Sequence, residues 1–304
     1  MDVESASKPQ VLNGWFTIMH SVVDAQLEPE NGAYHLNALI SVLCPEFQSF
    51  SQQFWIVCDA CLGNPVRWAY GGIESGLQPD NATDALVRVF WGYVIKIARD
   101  ISYHDNERQA RLVDLIHALA HLVSAGDHLG NCGSDGMENI DPLKGSVPMG
   151  PFLSLEFDRE EWINRTSFMA RMMGRQLRSW KMFAIWELRS ALEYPQSIPD
   201  GVDFHVGVVR EWILHAGAEL YRQRKEGVLT ECEQRSTSPG PLYYGKADLC
   251  LERWAFWKER LLDLAKDASP ELQKTAVSVV EHMNDIEDKA QGNLKKRSAS
   301  AAFE

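Results

Sequence analysis

Apolar residues recur along most of this chain at intervals of three and four. Leu112, Leu115, Ile116, Leu119, Leu122 and Val123 make one stripe. Leu177, Trp180, Ala184, Leu188 and Ala191 make a second, and Leu272, Ala276, Val279, Met283 and Ile286 a third. That spacing suits a helix burying one face and not a strand, whose faces alternate every second residue. Looser patterns of the same kind cover residues 15–27, 34–43, 47–62, 82–101, 210–224 and 250–264. Strand alternation and a fixed-period repeat are both missing from the sequence. The expected fold is all-α: a single bundle of about ten helices in two packed halves, joined by long Gly/Pro-rich loops.

The gaps between the periodic segments set the expected organisation. They run over 63–79, 126–157 and 227–248, the last holding Ser238-Pro239-Gly240-Pro241. The middle gap is far longer than an ordinary helix connection. It is either a linker between two helical halves or a loop lying over a site. The sequence predicts a disordered N-terminus over 1–14 and a helical domain over 15–290. That domain divides into an N-terminal half 15–125, the loop 126–157 and a C-terminal half 158–290, and a disordered tail covers 291–304.

Charge and leader signals exclude several function classes. With 42 acidic against 30 basic residues the net charge is −12, a surface that repels phosphate backbones and anionic headgroups. No nucleic-acid partner is expected. The one compact basic run, Lys295-Lys296-Arg297, lies in the Ser/Ala tail and reads as solvated, with an import signal the rival reading. No apolar run reaches the ~18 residues a membrane span needs, so no membrane insertion is expected. Met1-Asp2-Val3-Glu4 lacks the basic start of a signal peptide, and the 6 cysteines are scattered. A cytoplasmic address is expected.

The densest chemistry lies between Gly240 and Arg260. Gly240-Pro241-Leu242-Tyr243-Tyr244-Gly245 leads into Glu252-Arg253-Trp254-Ala255-Phe256-Trp257-Lys258-Glu259-Arg260. Upstream stand Trp162-Ile163-Asn164-Arg165-Thr166-Ser167-Phe168-Met169-Ala170-Arg171, Trp186-Glu187-Leu188-Arg189-Ser190-Ala191-Leu192-Glu193 and Trp212-Ile213-Leu214-His215-Ala216-Gly217. Together these blocks resemble a fungal family of helical proteins whose domain has no assigned function. The resemblance covers roughly two-thirds of the chain, and its motifs are specific in combination. Thr166-Ser167, Glu187 and His215 depart from that family's pattern. The resemblance implies an all-helical, intracellular fungal protein. Relatives often sit near secondary-metabolite genes, which turns the expectation toward small-molecule chemistry. It carries over no catalytic residues.

Each candidate residue has a chemical and a structural reading. Arg253, Phe256, Trp257 and Arg260 share one helix face, where guanidinium stacked on indole can hold a flat or anionic ligand. Alternatively the arginines pair with acidic neighbours and shield a tryptophan-rich core. Glu187, beside the stripe of Trp180 and Ala184, is a general acid if desolvated, or an ion-pair partner of an arginine such as Arg189. Glu211, His215 and Glu219 recur every four residues, giving an imidazole between carboxylates for proton transfer, or an exposed charge ladder. Asp114, His117 and His121 have zinc-type spacing but lack the metalloprotease glutamate and lie opposite the leucine stripe. Cys58 and Cys61 read as small buried residues of an apolar helix.

Absences narrow the chemistry. The chain carries no phosphate-binding Gly-rich loop, no dinucleotide fingerprint and no nucleophile elbow. Glu281, Asp285 and Asp288 have no aspartate-rich counterpart, which excludes a metal-dependent terpene cyclase. No metal and no cofactor are expected. The expected function is a cofactor-independent enzyme of fungal secondary metabolism, a cyclase, isomerase or dehydratase acting on a small apolar metabolite. Its candidate catalytic residues are Glu187, His215, Arg253 and Arg260. Trp186, Tyr243, Tyr244, Trp254, Phe256 and Trp257 are the candidate substrate-binding residues. The rival function is a helical scaffold whose aromatic-arginine face docks a protein partner.

Overall fold

A computed structural model describes residues 8–43, 82–124, 158–196, 201–224 and 228–301. The expected helix over 47–62, the pair Cys58 and Cys61, and the loop 126–157 lie outside the described residues. All regular structure among the described residues is helical, so the fold is all-α. The described helices are α1 (Lys8–Val23), α2 (Pro29–Leu43), α3 (Ala82–Asp100), α4 (Asn106–Ser124), α5 (Arg159–Gly174), α6 (Lys181–Leu192), α7 (Val202–Arg222), α8 (Glu231–Ser236), α9 (Leu251–Ala265) and α10 (Pro270–Ala301).

Two compact units divide the chain: Met1–Met137 with Glu156–Phe168, and Glu138–Leu155 with Met169–Glu304. The division falls inside α5, whose first residues belong to one unit and last residues to the other. In the first unit, α2 packs on α4 and α1 lies against both. Trp15, Met19, Leu36, Phe90, Trp91, Leu112, Leu115 and Ile116 are buried there. Gly32 permits the close approach of α2, since a Cβ at that position would meet Val22 Cγ2 at 2.4 Å. Asn164 closes the α3–α4 corner: it accepts from Tyr103 N at 2.7 Å and donates from Nδ2 to the Arg99 carbonyl at 2.7 Å. Gln109 joins this corner by donating from Nε2 to the Ile101 carbonyl at 2.9 Å.

In the second unit, α7 packs against α10 and α6, while α9 packs on α10, α6 and α7. Trp180, Trp212, Trp254 and Trp257 are all fully buried there. Gly217 lets α7 approach α10, where an added Cβ would lie 2.9 Å from Ile286 Cδ1. Each large ring contributes roughly 1.5–3 kcal/mol or more through removal of apolar surface from water.

Helix ends differ from the periodic pattern where the signal is capping chemistry. Helix α6 starts at Lys181, so Leu177 of the second stripe lies in the preceding turn. The short α8 sits inside the expected gap 227–248 and is fixed by a capping box between Thr230 and Glu233. Helix α1 begins at Lys8 and α10 runs to Ala301, so helix reaches into the expected disordered ends and includes Lys295-Lys296-Arg297. These end segments carry no long apolar stripe, which is why periodicity misses them.

Candidate functional site

Arg253 sits on the first turn of α9 with its side chain wholly withdrawn from water. Such a charge requires a partner and full hydrogen bonding. Glu193, just past the end of α6, supplies both: Arg253 Nε donates to Oε1 at 2.6 Å and Nη2 to Oε2 at 3.0 Å. Arg253 Nη1 donates to the carbonyls of Thr237 at 2.7 Å and Asp248 at 3.1 Å. Glu193 also accepts from Trp257 Nε1 at 2.7 Å and from the Gly240 backbone at 2.7 Å. Asp248, in the left-handed region at φ 61, accepts from Lys181 Nζ at 2.8 Å. Its own backbone N–H donates to Thr237 Oγ1 at 2.8 Å. The loop before α9 is thus tied to both ends of α6.

Tyr243 and Trp257 flank the Arg253 guanidinium, with ring centroids 5.5 and 5.6 Å from its Cζ. Tyr243 meets Phe256 at 5.2 Å, and its hydroxyl lies 3.4 Å from Cys250 Sγ. Burial first, then the bond to Cys250, raises the Tyr243 phenol well above its ordinary pKa. Trp254 is fully buried with Tyr221 edge-on at 5.3 Å. Trp186 donates to the Ser236 carbonyl at 2.6 Å. Arg260 is half-buried. Tyr244 stands apart from all of them, 95% exposed.

A second constellation lies on α7. Glu211 is fully buried and pairs with the neighbouring Arg210. One turn on, His215 Nε2 lies 3.3 Å from Glu211 Oε2, and its side chain keeps 21% exposure. A buried carboxylate beside a partly exposed imidazole is an arrangement suited to proton transfer. Arg171 on α5 completes the group: burial lowers its pKa, Glu211 opposes that shift and Arg210 adds to it. Glu187 on α6 accepts from Trp212 Nε1 at 2.7 Å, the residue next to Glu211. The α7 ladder therefore has a buried carboxylate at Glu211. Its last member, Glu219, is buried and bonded to Arg222 and Gln223.

The structure thus brings Arg253, Trp257, Tyr243 and Phe256 into one cluster, and sets Glu187 and His215 on the helix pair α6 and α7. Sequence reading missed Glu193 as the partner of Arg253, and Arg171 and Arg210 as companions of Glu211. An arginine next to a glutamate on a helix edge was the available signal for Arg210. For Glu193 none existed, since its partner is 60 residues away. Glu281, Asp285 and Asp288 are all exposed. Among the described residues no group of three or more His, Cys, Asp or Glu side chains could hold a metal ion. None of the described helices is long and apolar enough to cross a membrane.

The family described as "Protein of unknown function (DUF3632)" matches residues 91–261, more than half of the chain. No curated protein and no solved structure matches it.

Proposed function

The chain belongs to the DUF3632 family, and from that premise we propose that it is a cofactor-independent enzyme of fungal secondary metabolism acting by proton transfer on a small, largely apolar metabolite. Cyclisation, isomerisation and dehydration are the reactions such a site can run, because each needs only a held substrate and a moved proton. The observation that carries the reading is the 3.3 Å contact between partly exposed His215 and fully buried Glu211. His215 accepts the substrate proton at Nδ1, and the Glu211 carboxylate stabilises the imidazolium that results. The same imidazolium returns the proton at a second carbon or to a leaving hydroxyl, so no net oxidation occurs. Arg210 and Arg171 bring positive charge to this centre, suited to a carbonyl oxygen that becomes an enolate. Glu187, oriented by Trp212, is the second proton-moving group. A cytoplasmic site of action fits this reading.

The experiment is a metabolite comparison of the parent strain, a deletion strain and a strain carrying His215→Ala. The expected result is one uncyclised, unisomerised or hydrated precursor accumulating in both altered strains. An unchanged profile in both removes the enzyme reading.

A second reading is favoured by one observation. Tyr244 is 95% exposed on a loop whose neighbours Gly240, Leu242 and Asp248 are hydrogen-bonded to other elements. A rigidly presented tyrosine is an efficient protein-docking group. On this reading the chain is a scaffold, and Tyr244→Ala abolishes partner binding while the metabolite profile stays unchanged.

A further inference from the structure

His117 and His121 occupy successive turns of α4, away from the leucine stripe that buries Leu112, Leu115, Ile116 and Leu119. Their rings meet edge-on with centroids 4.3 Å apart, and their Nε2 atoms face each other at 3.1 Å. His121 is exposed and His117 half-buried. We propose that this pair is a two-imidazole site for a divalent transition-metal ion of the zinc class, its remaining positions filled by water.

The spacing is the central reason. Two nitrogens about 2.0–2.1 Å from such an ion lie about 2.9 Å apart at a right angle and about 3.4 Å apart at the tetrahedral angle. The observed 3.1 Å falls between these limits, so the ion enters with only small ring rotations. Neutral imidazole is a good ligand for borderline divalent ions, and carboxylate-seeking magnesium and calcium are poor occupants. The site also stands in the closing turns of α4, where the helix dipole favours positive charge. Without an ion, one Nε2 carries the proton shared by the pair. Binding moves that proton to Nδ1 of the same ring, so both imidazoles stay neutral ligands and no electron moves.

The test is calorimetric titration of the full chain, free of any affinity tag, with zinc chloride at pH 7.5. His117→Ala and His121→Gln are the test variants and His35→Ala, exposed on the outer side of α2, is the control. One ion per chain is expected, weakened about tenfold or more by either test variant and unchanged by the control. Zinc is also expected to raise the Tm of the parent, with that rise lost in both test variants. Melting in a chelator shows that the variants fold. No binding by the parent overturns the proposal, and so does binding that survives in both variants.

Discussion

Glu193 and Arg253 form a two-pronged ion pair with both side chains wholly buried. Breaking a buried pair by removing one partner strands the other charge, at about 3–5 kcal/mol. Arg253→Ala is therefore expected to lower the unfolding free energy by about that amount in urea titrations. The joint change Glu193→Leu with Arg253→Met is expected to be milder than either single change, because no charge is left behind. A loss below about 1 kcal/mol for Arg253→Ala would contradict the central role given to this pair.

Gly174 ends α5 where it crosses α7. A Cβ there would lie 1.9 Å from the His215 carbonyl oxygen, and backbone cannot swing aside as a side chain can. Gly174→Ala is expected to destabilise by about 3 kcal/mol or more, read as a fall in Tm. The same change displaces the turn carrying His215, so metabolite conversion is expected to fall with it. Wild-type stability in this variant would show that the crossing is looser than the geometry says.

Asn164 uses both ends of its amide at the α3–α4 corner. Asn164→Asp keeps the acceptor for Tyr103 N and sets a carboxylate oxygen against the Arg99 carbonyl. The expected loss is about 1–3 kcal/mol near neutral pH, shrinking in acid where the carboxyl becomes a donor. Denaturant midpoints at pH 7.5 and pH 4.5 measure it. A loss equal at both values would contradict the bond to Arg99.

His282 on α10 has its pKa pushed below the ordinary 6.5, first by burial, then by Lys289 and His215 against the opposing pull of Asp285. The native chain then binds fewer protons than the unfolded chain between the lowered value and 6.5. Stability falls as pH drops through that window. His282→Gln is expected to flatten this part of the curve, read as urea midpoints at pH 7.5 and pH 5.5. An unchanged slope would remove the assignment to His282.

The all-helical fold was legible because burial leaves its mark at short range. Trp180, Ala184, Leu188 and Ala191 recur at helical spacing and are all buried, as are Ala276, Val279, Met283 and Ile286. The last residue of the α4 stripe shows the limit: Leu122 fits the period yet is 41% exposed. The site was legible only in part. The offsets of Glu211 and His215 announce a shared face, and they do meet. Nothing local announces that Glu211 is the buried member, since burial depends on what α5 and α6 bring. The face of Arg253 and Trp257 reads in sequence as a ligand surface or as an interior, and the distant Glu193 holds both side chains. The capping box of α8 was written in Thr230 and Glu233, but a Gly/Pro-rich setting hid it.

The long helix α10 lies outside the matched residues 91–261, yet it seats Ala276, Val279, Met283 and Ile286 against α7 and α9. Lys258 of α9 adds a bond to Glu287 at 2.6 Å. A protein trimmed to the matched region would bare a greasy seam along two helices and lose α1 and α2 besides. Such a fragment would leave uncovered the apolar surface that α10 shields in the full chain, and it is expected to aggregate.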